Sequence, residues 1–171
     1  AVSTDMLVSG QHFFADTDPY KLGHKALAVN LSDMAAMGAS PRWATLALAL
    51  PESLIKIDTK WVESFAKGLL ELACSHRVEL IGGDVTRGPL TICIQIIGEV
   101  EKGKALRRNG ARVGDDIWIS GKLGDAALAL LHERHQIKLE PDELTECRNS
   151  LLLPVARVGL GQRLVGIANS A

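Results

Sequence analysis

With 171 residues, 47% of them hydrophobic, the chain has material for one buried core, or for one domain and a piece of a second. A net charge of −1 leaves no basic footprint for nucleic acid, and no apolar run approaches the length of a membrane span. Three cysteines, Cys74, Cys93 and Cys147, show neither metal nor disulfide spacing and read as buried free thiols of a reducing cytoplasm.

In chain order, residues 1–9 have strand character and end at Gly10. Pro19 opens a helix that runs to about Met37, with Gly38 as its stop signal. Trp43 to Leu50 reads as a strand closed by Pro51. Residues 58–76 predict an amphipathic helix, with Asp58 at its N-cap and Trp61, Phe65, Leu69 and Leu72 on one face. Val78 to Ile81 predicts a short strand turning at Gly82-Gly83, and Leu90 to Val100 a long isoleucine-rich one. A polar hinge from Glu101 to Asp115 follows. The pattern then restarts with a strand at Asp116 to Ser120, a helix to about Arg134, and helical stretches over 141–152 and 156–168. Alternating strands and helices, with 42–50 and 90–100 able to pair antiparallel, predict an α/β (α+β) fold with a mixed sheet. The boundary is expected near 110–115, giving an N-terminal domain over 1–110 and the beginning of a second α/β domain over 111–171. The strand-like start without an initiator Met and the helix fading at Ala171 point to a fragment of a longer protein.

The chemistry concentrates in three carboxylates. Asp84 lies in Leu80-Ile81-Gly82-Gly83-Asp84-Val85-Thr86-Arg87-Gly88, where two glycines permit close backbone approach to a ligand and a carboxylate can take a hard cation. Asp33 falls in a helix that is apolar nearly all round, three residues after Asn30. An unpaired buried carboxylate is costly, so Asp33 requires a metal, a proton or an ion pair such as Arg42 or Arg87. Asp5 shares a strand face with Ser3, with Thr4 opposite, and suits either an oxygen-ligated cation or a strand-end turn. Three carboxylates converging on one site would suit Mg²⁺ and a phosphate substrate. His12 and the hinge Arg108 have ordinary structural readings, a satisfied histidine and a solvated basic face. Arg108 can alternatively clamp phosphate in a fork. Gly121 to Asp125 lacks the Walker order, and Gly159-Leu160-Gly161 lacks a third glycine; both read as structural turns.

Taken together, Ser3-Thr4-Asp5, Gly10 with His12, Lys25 through Ala39, Gly82 through Leu90 and Gly110 through Asp115 resemble the thiamine-monophosphate kinase family over essentially the whole chain. That family lies in the aminoimidazole-ribonucleotide-synthetase-like ATP-binding superfamily. The resemblance implies a cytoplasmic homodimer that transfers the ATP γ-phosphate to thiamine monophosphate. It implies Mg²⁺ ligation by Ser3, Thr4, Asp5, Asp33 and Asp84, substrate contact by His12, and ATP contact by Gly83, Asp84 and Arg108, with no nucleophilic side chain or acid–base pair. Met6 and Val85 stand where the family commonly has Thr. A Gly-Asp-Asp element before Ala1 and an Asp-x-Ser-Asp-Gly-Leu element after Ala171 are expected in the longer protein, so this chain alone is expected to be inactive. Alternatives are another ATP-dependent enzyme of the superfamily, making selenophosphate or aminoimidazole ribonucleotide, and a non-catalytic nucleotide-binding or dimerisation module.

Overall fold

The computed structural model describes residues 1–57 and 59–171. Four strands, β1 (Val2–Val8), β2 (Ser40–Leu50), β3 (Glu79–Arg87) and β4 (Thr91–Glu99), form one mixed sheet in the order β1-β4-β2-β3. β4 runs antiparallel to both neighbours, while β2 and β3 are parallel. The expected antiparallel pairing of the second and last strands is therefore present.

Period-two alternation decides which face is covered. In β4, Ile92, Ile94 and Ile96 are buried; in β2, Ala44, Leu48 and Leu50 are; in β1, Leu7 is. All face helix α1 (Pro19–Ala36), whose Leu27, Leu31 and Met34 complete the core. The α1 termini follow from local chemistry. The Asp18 carboxylate accepts from the Lys21 N–H at 2.9 Å ahead of Pro19, and Gly38 at φ +67° reverses the chain. α3 (Thr59–Ser75) buries Trp61, Phe65 and Leu69 beside α1, with the two aromatic rings stacked 5.4 Å apart. Glycines let these helices touch backbone to backbone: a Cβ on Gly23 would lie 2.1 Å from the Phe65 carbonyl oxygen. Beyond the hinge, α6 (Val158–Leu164) seats Gly161 against the Ala35 carbonyl in the same way, on another side of α1. α4 (Asp125–Glu133) and α5 (Pro141–Leu152) pack on each other.

Four expectations need correction. β3 does not turn at its glycines but runs through them to Arg87. The register shift between Ala44–Leu80 and Thr45–Gly82 leaves Ile81 as a bulge. A short helix, α2 (Glu52–Ile57), follows Pro51 where none was expected. Asp116 to Ser120 is not a strand: Ile117 is 93% and Trp118 90% exposed, and no described strand lies after β4 to supply ladder partners. Cys74 is exposed, because it lies off the Trp61–Phe65–Leu69–Ala73 stripe of α3; Cys93 is half-buried and Cys147 buried. The proposed N-cap Asp58 lies outside the described residues. No helix among the described residues is long and apolar enough to cross a membrane.

Candidate active site

The β1 edge and α1 together build the first part of the site. Regular strand geometry turns Ser3 and Asp5 toward α1, where both are half-buried. On α1, Asp33 faces back toward the strand, and the Ser3 hydroxyl donates a short hydrogen bond to its Oδ2. The ion-pair alternatives for Asp33 are not realised. Arg42 pairs with Glu99 at 2.8 Å and Arg87 with Glu52 at 3.6 Å.

Burial, and then the negative charge of Asp33, push the Asp5 carboxyl above the usual carboxylate range, with His12 opposing. Two half-buried carboxylates beside a hydroxyl thus form an all-oxygen donor set whose mutual repulsion a hard cation would relieve. These residues fit Mg²⁺. Thr4 does not join them through its side chain, since strand alternation sends it to the opposite face, where Gln95 Nε2 donates to its hydroxyl at 3.4 Å.

His12 sits in the turn after β1. Its Nδ1 accepts from the Val8 N–H at 3.1 Å, so in the neutral ring the proton resides on Nε2. Lys25 on α1 donates to the His12 carbonyl at 3.2 Å, and burial lowers the affinity of its amine for a proton. Gly10, His12, Phe13, Phe14, Lys25 and Arg134 line a pocket there. Lys25 was missed in the sequence because a lysine in an otherwise apolar helix reads as a solvated edge. Asn30, read in the sequence only as a neighbour of Asp33 on α1, is buried, donates to the Ala26 carbonyl at 3.0 Å and leaves its own Oδ1 without a partner among the described residues.

A second cleft joins the carboxylates to the hinge. Ser3, Asp33, Met37, Leu106, Arg107 and Arg108 line it. Arg108 opens a single 3₁₀ turn, Arg108–Gly110, and neither it nor Arg107 has an ion-pair partner among the described residues. Arg107 was passed over in the sequence, and its place in the cleft makes it a second cation of the site.

Asp84 and Gly83 are elsewhere. Across the sheet Asp5 is level with Ile94, Leu46 and then Gly83. Three strand spacings therefore separate the β1 and β3 edges, about 14 Å along the sheet. Asp84 is exposed and has no hydrogen bond or ion pair among the described residues. Gly83 has φ +154°, and a Cβ there would lie 1.9 Å from the Leu46 carbonyl oxygen, so only glycine lets β3 lie this close to β2. Among the described residues no three His, Cys, Asp or Glu side chains are close enough to hold one metal ion. The convergence of three carboxylates within one chain does not occur.

Residues 1–100 match the family model of the AIR synthase related protein, N-terminal domain. The chain belongs to this family. Its AIR synthase-related fold has close counterparts. It is 48% identical to the thiamine-monophosphate kinase of Salmonella typhimurium over 173 aligned residues, covering all of this chain and 52% of that protein. The crystal structure of thiamine-monophosphate kinase from Stenotrophomonas maltophilia superposes with a TM-score of 0.91 at 47% identity, over 99% of this chain and 54% of that one. A structure of AaThiL complexed with AMPPCP and TMP superposes with a TM-score of 0.88 at 33% identity, over 99% and 53%. The chain spans about half the length of the curated relatives it matches.

Proposed function

We propose that this chain forms part of a thiamine-monophosphate kinase that transfers the ATP γ-phosphate to the phosphate of thiamine monophosphate, giving thiamine diphosphate. The observation that carries the reading is the grouping of Ser3, Asp5 and Asp33 at one sheet edge, opening on a cleft lined by two arginines that have no ion-pair partner among the described residues. Oxygen donors for a divalent cation beside guanidiniums for phosphate are what a phosphoryl-transfer site requires. The likeness to a kinase structure holding AMPPCP and TMP supports the same reading.

Ser3, Asp5 and Asp33 would hold Mg²⁺, which when bound neutralises phosphate charge. The acceptor phosphate has a second pKa of about 6, so at neutral pH it is already the nucleophile and needs no general base. His12 orients the acceptor through Nε2–H, and Arg108 binds nucleotide phosphate. No side chain becomes covalently modified.

Asp84 and Gly83 enter this scheme through a second copy. Among the described residues the sheet has two unpaired edges, β1 and β3, and one bare face on which Val2 is 59% and Met6 56% exposed. β1 and β3 run in the same direction, so two sheets related by a two-fold axis can close β1 of one onto β3 of the other as a barrel. Such closure buries the apolar face and carries Asp84 of one copy toward Asp5 and Asp33 of the other. Thiamine diphosphate formation by the full-length protein from thiamine monophosphate, ATP and Mg²⁺ tests the activity. Loss of product with Asp33→Asn is expected; an inactive wild-type protein would overturn the reading.

A further inference from the structure

Two adjacent arginines repel each other, and a hinge with almost no regular structure gives them no fixed direction. Something must aim them. The near end of the hinge is tied to α1 where the Leu106 N–H donates to the Met37 carbonyl at 3.2 Å. The far end is held by residues some sixty positions later in the chain. The Ser170 hydroxyl faces two successive carbonyls, those of Arg107 at 2.9 Å and Arg108 at 3.1 Å. Asn169 Nδ2 donates to Asp115 Oδ1 at 2.9 Å, and Asp115 Oδ2 accepts from the Arg112 N–H at 2.9 Å. Gly110 lies flat on the Asn169 carbonyl, where a Cβ would be 1.9 Å from that oxygen. Ala171 lines the same cleft as the arginines.

We propose that Ser170, braced by Asn169, is a positioning residue that aims the Arg107–Arg108 pair into the cleft beside Asp33 to receive nucleotide phosphate. The proposal rests on the nucleotide reading above. A hydroxyl proton shared between consecutive carbonyls fixes the two peptide planes that flank the Arg108 Cα, and with them the direction in which that side chain leaves the backbone, and it fixes one of the two planes that flank Arg107. Neither guanidinium is held by an ion pair among the described residues, so the backbone is what orients them.

The test is ATP binding to the full-length protein in Mg²⁺, by calorimetry, with thermal unfolding recorded for each variant. Ser170→Ala is expected to raise the Kd for ATP by about 3- to 10-fold, the size of one lost hydrogen bond. Ser170→Thr, which keeps the hydroxyl, is expected to restore binding. With both arginines already changed to Ala, adding Ser170→Ala is expected to shift Kd by less than about 2-fold, because its effect passes through them. An undiminished effect in that background would overturn the positioning role, as would Ser170→Ala binding ATP like wild type while Arg108→Ala binds weakly. A wild-type protein that fails to bind ATP would sink the nucleotide reading itself, and this proposal with it.

Discussion

The two edges of the sheet carry comparable sequence signals but are built differently. At the β1 edge, α1 lies against the strand, so Ser3 and Asp5 acquire a helix-borne partner in Asp33 and are half-buried. At the β3 edge no helix among the described residues performs that service: every residue from Glu79 to Arg87 is exposed, including Asp84. The same residue type is therefore electrostatically strained at one edge and fully solvated at the other. An acidic residue in a glycine-rich strand acquires chemistry only once something covers it, and among the described residues nothing covers Asp84.

The sharpest way to break the contrast is to neutralise Asp84. If the β3 edge belongs to a working site, Asp84→Asn is expected to lower kcat/KM of the full-length protein for phosphoryl transfer by ~10²-fold or more, comparable with Asp5→Asn, despite its exposure here. Steady-state phosphoryl transfer checks this. Near-normal turnover would leave the β3 edge outside the chemistry.

Next in size is a backbone effect confined to that edge. Gly83→Ala is expected to cost about 1–3 kcal/mol in urea unfolding, since its Cβ meets the Leu46 carbonyl and its φ is unfavourable for alanine. Gly82→Ala, with nothing within 4 Å, is expected to stay within about 0.5 kcal/mol. Equal costs would show that Gly83 has no special role in seating β3.

The bare face offers a third handle. Val2→Lys combined with Met6→Lys is expected to weaken self-association by about 10-fold or more in sedimentation, by placing charge in an apolar contact. Unchanged association would remove this face from the interface.

The smallest expected effect is a pH dependence at the β1 edge. The folded state binds a proton at Asp5 more tightly than the unfolded chain does, because of burial and Asp33. Between the ordinary carboxylate range and that raised value the folded state carries more protons, so stability falls as pH rises. Metal-free protein is expected to lose Tm through that window, with Asp5→Asn flattening the slope and Mg²⁺ opposing it. A slope unaltered by Asp5→Asn would assign it to other groups.

Much of the architecture was legible because hydrophobic period and end signals agree. Pro19 and Gly38 bracket α1, and the isoleucines of β4 alternate inward. The chemistry was legible as residues but not as places. Ser3 and Asp5 on one face follow from strand geometry, whereas their meeting with Asp33 depends on how α1 crosses the sheet. Gly82-Gly83 read as a turn because local propensity carries no record of β2, whose close approach holds the strand straight through. Ile117 and Trp118 read as strand for the converse reason: their pattern asks for neighbours that the described residues do not provide. Ser170 was invisible, since a serine that works through backbone carbonyls some sixty residues away leaves no local motif.

The central claim is that one copy's Asp5 and Asp33 work with the Asp84 of another. Mixing two inactive full-length variants, Asp5→Asn and Asp84→Asn, after unfolding and refolding together tests it directly. In a shared site half of the sites in each mixed dimer keep both native carboxylates, so random reassortment is expected to restore about a quarter of wild-type thiamine diphosphate formation. If each site is built within a single chain, every site carries one lesion, and a mixture no more active than its parents would contradict the claim.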